Sequence, residues 1–436
     1  MTLPGFIRKI FNRFDGHMQE LLRGASIAFV LKILAAGFAF GLSVVMARLL
    51  GAEGSGIFFL AFTIVLIVAA IGRVGMDNAL VRFIAANVAA KRPGKVLGVY
   101  QKAMLYSLVT ATALSVLLYL LAPWISQVIF SKPELLQPLA IMAIAVVPLA
   151  LLTLHAQALQ GLKRIAASIS VLSVIVPLLT CLIAVLFIPV YGINAAAWGY
   201  LFATIATLLL GRWFWQKAIC SFKTHPAEFD RKELLASSMP LLTVVMMNMV
   251  ITWSPMLFLG IWESSENIGI YSAASRTAML TSFVLVAVNS IAAPKFAALY
   301  QQGDMEALGS VARKSTKIMA LIASPVLLLF LLIPESILSI FGEQFKQGAV
   351  VLMILSIGQF INVATGSVGY LLMMSGNERL MRNNLLFCML VVLLTSYMLI
   401  PLYGVIGAAI SAGVVVGVQN LIAFVMVKRK LGIHIF

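Results

Sequence analysis

Ionisable side chains are rare in the long apolar stretches of this chain, so the few that occur there are the first candidates for chemistry. Lys32 and Arg276 each lie within such a stretch, and neither has an acidic residue at helical spacing in the same stretch. An ionisable group inside a membrane segment is costly and marks a functional site by default. The partners of these two cations must come from another helix, from water in a cavity or from a bound ligand.

A second group of ionisable residues comprises Arg73, Asp77, Arg82 and His155. Arg73 and Asp77 are four residues apart, so they share a helix face and can pair. This pair is as consistent with a self-neutralised structural role as with coupling or gating. The long side chain of Arg82 can reach the membrane headgroups. His155 is more typical of a hydrogen-bonded helix residue than of a proton relay.

The sign of these charges predicts the kind of ligand. Asp77 is the only acid well inside an apolar stretch, so the interior should be net positive. A cavity lined by cations attracts anions, and Lys and Arg are the usual phosphate ligands of proteins. The pattern therefore predicts a site for an anionic ligand.

The composition indicates what must hold these residues. Hydrophobic residues make up 62% and charged residues 11% of the 436 residues, and the mean hydropathy is +1.04. An average soluble domain is about 45–50% apolar and about 25% charged. These values exclude a soluble enzyme and predict an all-α polytopic membrane protein.

The apolar stretches predict about twelve transmembrane helices. A bilayer core is crossed by about 20 apolar residues in a helix. Two charge-free stretches, 165–211 and 383–427, are long enough for two helices each, and each contains a Pro-x-Tyr-Gly turn. The predicted spans are 25–49, 56–86, 96–122, 136–160, 166–188, 193–215, 234–262, 267–295, 316–333, 348–375, 383–400 and 404–427.

The distribution of Lys and Arg predicts the orientation of these spans. One set of connections carries nearly all of the basic residues outside the spans, whereas the other set holds only Lys132 and Lys346 among several Glu residues. The positive-inside rule therefore places both termini in the cytoplasm. Topology and contact with anionic membrane lipids account for most of the net charge of +16, so no nucleic-acid partner is predicted.

The chain repeats itself at an offset of about 212 residues. Residues 188–192 (IPVYG) return as 400–404 (IPLYG), and 56–58 return as 269–271. Two six-helix pseudo-repeats around a central cavity follow, and the substrate site of such a transporter lies between its halves. The predicted division is a cytoplasmic interfacial amphipathic helix (1–24), an N-terminal lobe (25–215), a basic cytoplasmic linker (216–233), a C-terminal lobe (234–427) and a basic cytoplasmic tail (428–436).

Other kinds of chemistry leave no pattern in the sequence. The three Cys residues form no CxxC pair and no Cys/His cluster, so neither a disulfide framework nor a zinc site is predicted. No GxxxxGK[ST] run provides a nucleotide site. We therefore assign no catalytic residue, no cofactor and no metal.

Four short motifs resemble, in order along the chain, those of Wzx-type flippases, which translocate repeat units of O-antigen and exopolysaccharide. This family belongs to the multidrug/oligosaccharidyl-lipid/polysaccharide exporter superfamily. The motifs are Arg48-Leu49-Leu50-Gly51 followed by Gly54 and Gly56, Gly75-Met76-Asp77 followed by Leu80-Val81-Arg82, the run from Gly269 to Arg276, and Ala293-Pro294 followed by Tyr300 and Gly303. The resemblance covers almost the whole chain.

The resemblance implies a MATE-like two-lobed fold in the bacterial inner membrane. It implies a flippase that moves an undecaprenyl-diphosphate-linked oligosaccharide from the cytoplasmic to the periplasmic leaflet. It implies that Lys32, Arg48 and Arg276 bind the diphosphate. Arg73, Asp77, Arg82 and His155 are, from their positions in the spans, the candidates for coupling or gating. Membrane lipids, the polysaccharide polymerase and the chain-length machinery are the expected partners.

Two alternatives remain open at this point. A cation-coupled multidrug exporter of the same superfamily generally needs an intramembrane acid, often in its first helix, where this chain carries Lys32. A membrane enzyme of polysaccharide assembly is expected to present catalytic residues in a large outer loop, and the loops predicted here are short.

Overall fold

The structure is a computed structural model that describes residues 16–222, 226 and 231–433. The described residues are almost entirely helical and contain no strand. The α-helices are α1 (Gly16–Gly72), α2 (Met76–Ala89), α3 (Pro93–Trp124), α4 (Leu136–Ile144), α5 (Val146–Gly161), α6 (Ile165–Ile169), α7 (Ile175–Ala218), α8 (Arg231–Trp262), α9 (Ser265–Ala278), α10 (Phe283–Gln301), α11 (Met305–Leu332), α12 (Pro334–Leu338), α13 (Ala349–Ala364), α14 (Val368–Met374) and α15 (Glu378–Leu431).

Short turns of other helix types complete the backbone. They comprise π turns at Ile125–Ile129 and Ser170–Val174, and 3-10 turns at Pro133–Leu135, Cys220–Phe222, Met279–Ser282 and Glu343–Gly348.

Three of the helices are far longer than a bilayer requires and break at a glycine. Among the described residues, seven helices are long and apolar enough to cross a membrane. In α1, α7 and α15 the backbone leaves the helical conformation at Gly51, Gly192 and Gly404, with φ of 69°, 61° and 54°. Only glycine adopts a positive φ without steric cost. Each of these helices is therefore two arms joined at a break.

Contacts between the arms of α15 show that its break reverses the chain. The hydroxyls of Thr395 and Ser411 are 2.7 Å apart, and the Asn384 side-chain amide donates to the Gln419 carbonyl at 2.9 Å. These residues lie on either side of Gly404, so the arms run antiparallel. The predicted Pro-x-Tyr-Gly turn at this position is confirmed.

Two further crossings are interrupted rather than continuous. Helices α4 and α5 form a bent pair with an angle of 44° at the break, and α9 continues into α10 through a 3-10 turn. The seven long helices, three of them divided, account together with these two crossings for the twelve predicted spans in the described part of the chain.

Besides the bent fourth span (136–160), three more of the predicted spans are interrupted where the apolar pattern predicts an unbroken helix. The second span (56–86) breaks between α1 and α2, where Gly75 has φ 69°. The tenth span (348–375) breaks between α13 and α14, where Gly366 has φ 75°. The eighth span (267–295) contains the 3-10 turn. The φ of a glycine inside an apolar run cannot be read from the sequence, because tertiary packing determines it.

The hydrophobic core differs between the two ends of the molecule. In the structure we extend the predicted N-terminal lobe (25–215) to residues 16–222 and the predicted C-terminal lobe (234–427) to residues 231–433. The largest buried cluster contains residues of both lobes, including Phe58, Leu60, Phe341 and Phe345. The other clusters lie mainly within one lobe, apart from the start of α8, which packs on the N-terminal lobe.

Contacts near the glycine breaks identify the end where the lobes share a core. There the Arg48 side chain reaches Ile340 and the Lys132 side chain reaches Gly260. We call this the hairpin end, and we call the opposite end, which carries most Lys and Arg connections, the basic end. The lobes are thus joined most extensively at the hairpin end.

The predicted interfacial helix (1–24) falls largely outside the described residues. From Gly16 onward the chain belongs to α1 and continues without interruption into the first predicted span.

Candidate functional site

Arg276 lies where the two lobes face each other, held against aromatic rings of the other lobe. Its guanidinium carbon is 4.1 Å from the centre of the Phe59 ring and 5.7 Å from that of Phe62. Close packing of Gly56 on Gly269 brings the helices together: a Cβ at Gly56 would lie 1.9 Å from the Ser265 carbonyl oxygen. These glycines let α9 approach α1 closely enough for Arg276 to reach the rings.

The aromatic rings around Arg276 form a packed group. Phe62 stacks on Phe58 with ring centres 6.3 Å apart and meets Tyr200 edge-on at 5.3 Å. Phe59 meets Phe58 edge-on at 5.4 Å. Because Phe58, Phe59 and Tyr200 are buried, the rings have little freedom to leave the guanidinium.

Arg276 has no ion pair among the described residues, whose two salt bridges join Arg73 to Asp77 and Lys346 to Glu343. A cation on an aromatic face gains about 0.5–2 kcal/mol. A guanidinium binds a phosphate or carboxylate through N–H groups that lie in its own plane, and a pair of them can bind two oxygens at once. Arg276 is therefore the candidate anion-binding group of the part of the chain that the structure describes.

Lys32 lies nearer to the basic end than Arg276 does. It is nineteen residues before the Gly51 break, which is about 28 Å along a helix at 1.5 Å per residue. Phe59, which marks the level of Arg276, is eight residues after the break, or about 12 Å. The two cations thus differ in depth by about 16 Å, and the structure does not bring them together.

Lys32 is half-buried. Neither of the two salt bridges in the described part of the chain involves it.

Arg48 lies at the hairpin end and contacts the other lobe rather than the surroundings of Arg276. Its Nε donates to the Ile340 carbonyl at 2.7 Å, and its side chain is exposed. The neighbouring Ala52 amide donates to the Gln344 side-chain oxygen at 3.2 Å. The structure therefore separates Arg48 from both Lys32 and Arg276.

Arg73 and Asp77 pair with each other, as their spacing predicted. The Nε–Oδ1 distance is 2.7 Å, and the side chains are only 11% and 14% exposed. Arg82 is exposed and donates to the Ser237 hydroxyl of the other lobe at 3.0 Å. Arg82 thus provides a contact between the lobes towards the basic end, and its gating role stays a prediction.

His155 is enclosed in the N-terminal lobe with both ring nitrogens bonded. Nδ1 lies 2.8 Å from the Leu151 carbonyl, so it carries the proton, and Nε2 accepts from the Tyr100 hydroxyl at 3.0 Å. The residue is 2% exposed, and Tyr100 stacks on Trp215 with ring centres 4.2 Å apart. These contacts favour a structural role over the proton relay.

Lys132 is a buried contact between the lobes that the sequence analysis assigned only to a connection. It is 8% exposed, and its Nζ donates to the Gly260 carbonyl at 2.7 Å and to the Phe130 carbonyl at 3.2 Å. Burial lowers the pKa of Lys132, and the nearby Glu134 and Glu263 oppose that shift. Lys132 is one of only two basic residues in the connections on its side of the predicted spans, and this was the one feature of the sequence that set it apart.

Two surface cavities lie apart from these residues. They have volumes of about 340 and 450 Å³, share Asn194 and Trp198, and are lined mainly by apolar and aromatic side chains of the N-terminal lobe. None of the candidate site residues lines either cavity. Within the described residues, no group of three or more His, Cys, Asp and Glu side chains could hold a metal ion.

Comparisons with known protein families give two matches. The polysaccharide biosynthesis protein family matches residues 21–300, which is more than half of the chain. The MatE family matches residues 237–398.

A curated relative is the capsular polysaccharide biosynthesis protein CapF of Staphylococcus aureus. It is 23% identical over 207 residues, which are 47% of this chain and 52% of CapF. The chain thus matches about half the length of that relative.

Solved structures of two transport proteins share the fold. One is a lipid II flippase, MurJ, in an inward closed conformation, with a TM-score of 0.75 and 15% identity over 93% of this chain and 87% of MurJ. The other is an inward-facing multidrug resistance MATE family transporter of the MOP superfamily, with a TM-score of 0.71 and 15% identity over 94% of this chain and 98% of that one. The predicted MATE-like fold is confirmed.

Proposed function

The chain belongs to the polysaccharide biosynthesis protein family, and we propose that it flips an undecaprenyl-diphosphate-linked oligosaccharide across the bacterial cytoplasmic membrane. It is a multi-pass membrane protein of the transporter and flippase type rather than an enzyme. The resemblance to Wzx-type flippases agrees with this membership. The substrate, the direction of transport and the roles of individual residues are the proposal.

The observation that carries the proposal is the state of Arg276. Its guanidinium rests on Phe59, and it has no carboxylate partner among the described residues. An ionisable side chain inside a membrane span is costly, and contact with aromatic rings offsets only about 0.5–2 kcal/mol of that cost. An anionic ligand that occupies the site during transport accounts for its presence, and a diphosphate offers oxygens suited to a guanidinium.

The depths of the two cations suggest an order of contact. With the basic end in the cytoplasm, the diphosphate meets Lys32 first and moves about 16 Å further to Arg276. The sugars occupy the space between the lobes, while the prenyl tail stays in the bilayer. Rocking of one lobe against the other then exposes the head group at the hairpin end.

Two relatives support the assignment to polysaccharide synthesis. CapF is described as a capsular polysaccharide biosynthesis protein, and MurJ as a lipid II flippase. A multidrug exporter coupled to cations is less well supported, because Asp77, the acid deepest in a predicted span, is neutralised by Arg73. The polymerase and the chain-length machinery remain expected partners.

Binding of a prenyl-diphosphate oligosaccharide to purified protein tests the role of Arg276. We expect Arg276→Gln to weaken binding about tenfold or more, since a hydrogen bond to a charged group is worth about 1.5–3 kcal/mol. Lys346→Gln is the matched control, because Lys346 is paired with Glu343 at the hairpin end. Equal affinity of the wild type and Arg276→Gln would remove the proposed site.

A further inference from the structure

At the hairpin end the lobes are joined by two hydrogen bonds from cationic side chains to main-chain carbonyls. The Nε of Arg48 donates to the Ile340 carbonyl at 2.7 Å, and the Nζ of Lys132 donates to the Gly260 carbonyl at 2.7 Å. Each bond has its donor in one lobe and its acceptor in the other, with a second bond from Lys132 to Phe130 in its own lobe.

The internal repeat relates these two contacts. The dipeptide Ile129-Phe130 corresponds to Ile340-Phe341, and the end of the first crossing corresponds to the end of the seventh. Arg48 ends the first crossing and binds the segment after the ninth, whereas Lys132 follows the third crossing and binds the end of the seventh. Each contact therefore joins the end of one lobe's first crossing to the segment after the other lobe's third crossing. The donor lies at the end of the crossing in one contact and in the segment in the other.

An aromatic contact accompanies each of these hydrogen bonds. The Phe341 ring meets Phe40 of the other lobe edge-on, with ring centres 5.5 Å apart. The equivalent Phe130 lies against Gly260, where a Cβ would be 2.7 Å from its ring. The same two elements, a cation on a carbonyl and a phenylalanine on a helix of the other lobe, thus occur twice.

The chemistry of these contacts suits a reversible closure. Gly260 lies in the last turn of α8, where unpaired carbonyls and the helix dipole favour a cation. A carbonyl carries no net charge, so parting the contact does not leave a second buried ion behind, as breaking a buried ion pair would. Water can replace each carbonyl when the end opens.

We propose that these two contacts are paired latches that close the hairpin end between the lobes and release together. The latches comprise Arg48 with Ile340, and Lys132 with Gly260. The purpose of the latches rests on the proposed transport function, but their existence can be tested without a substrate. Because both latches join the same two lobes, loss of either one should raise the population in which the hairpin end is open.

Distances between spin labels measure this closure directly. The labels are placed at Gln127→Cys and Ser336→Cys, two exposed positions near the hairpin end of opposite lobes. The full chain also carries Cys181→Ser, Cys220→Ser and Cys388→Ala, which remove its other thiols. Pulsed electron resonance in nanodiscs then gives the distance distribution of the wild type, Lys132→Met and Arg48→Met.

We expect one short distance in the wild type and an added longer distance in each variant. The ratio of open to closed should rise about tenfold, the order expected for loss of a hydrogen bond to a charged group. Lys346→Met is the control, because Lys346 lies at the same end but pairs with Glu343 in its own lobe. It should leave the distribution unchanged.

The proposal is overturned if Lys132→Met and Arg48→Met keep the wild-type distribution, or if Lys346→Met widens it equally. Because Lys132 is buried, Lys132→Met could fold poorly, which size-exclusion chromatography detects. Arg48 is exposed, so Arg48→Met then decides the outcome. A protein that does not transport lipid-linked sugar can still have these latches. Failure of the transport proposal therefore does not overturn the latch proposal, and the converse also holds.

Discussion

At the scale of single residues, the candidate site consists of a guanidinium that contacts aromatic rings and, among the described residues, no acid. The sequence located Arg276 and Lys32 because charges without a nearby acid stand out in apolar runs. It did not disclose the rings of Phe59 and Phe62, because aromatic residues in an apolar helix look like ordinary core. Only the packing of α9 on α1 distinguishes them.

Phe59 should therefore affect ligand binding without touching the ligand. We expect Phe59→Leu to weaken binding of the prenyl-diphosphate oligosaccharide about two- to fivefold, since a cation–π contact is worth about 0.5–1 kcal/mol at its lower range. The leucine keeps most of the apolar volume but offers no ring. Equilibrium titration of the purified variant measures the effect.

Phe58→Leu provides the comparison for this prediction. Phe58 is buried in the same helix and packs on Phe59 and Phe62. Its replacement should lower stability by a similar amount but leave the affinity nearly unchanged. Equal losses of affinity in both variants would contradict a specific role for the Phe59 ring.

Lys132 and Arg48 illustrate what the residue pattern could not supply. Arg48 was predicted to bind diphosphate with Lys32 and Arg276, yet it contacts Ile340 at the hairpin end. Lys132 was predicted only to lie in a connection between spans, because its acceptor at Gly260 lies 128 residues away in the sequence. Every residue has a main-chain carbonyl, so the residue types do not show which carbonyl a cation will bind. Only the folded structure shows these partners.

At the scale of helices, glycine spacing determines how closely the lobes approach. A Cβ at Gly56 would lie 1.9 Å from the Ser265 carbonyl oxygen, and one at Gly269 would lie 2.0 Å from that of Ala52. Side chains at either position would push α9 away from α1. The position of Arg276 over the rings depends on this approach.

Gly56→Ala should thus destabilise the protein. We expect a loss of about 1–3 kcal/mol, the usual cost of overpacking, seen as a lower midpoint of thermal unfolding in detergent. Gly41→Ala in the same helix is the control, because nothing lies within 4 Å of a Cβ there. A midpoint for Gly56→Ala at or above that of Gly41→Ala would contradict the packing described here.

The helix breaks show how far the sequence could be followed at this scale. The Pro-x-Tyr-Gly turns predicted the breaks at Gly192 and Gly404, because proline and glycine together interrupt helices. The breaks at Gly75 and Gly366 were missed, since neither has a proline immediately beside it. Their positive φ is a consequence of packing between helices.

At the scale of the whole molecule, the candidate site takes its cation from one six-helix half and its aromatic rings from the other. The repeat near 212 residues predicted the two halves. It could not predict that the lobes share a core at the hairpin end and have largely separate cores elsewhere, because that is a property of one conformation. Because the lobes face each other, the Arg276 guanidinium of one lobe contacts the Phe59 and Phe62 rings of the other.

Flipping in proteoliposomes shows whether the protein translocates a diphosphate-linked sugar lipid. A fluorescent prenyl-diphosphate oligosaccharide is followed from one leaflet to the other with wild type, Arg276→Gln and the control Lys346→Gln. We predict transport by wild type and Lys346→Gln, and loss in folded Arg276→Gln. Absence of flipping by wild type, with export of cationic dyes from the same liposomes, would contradict the proposed function.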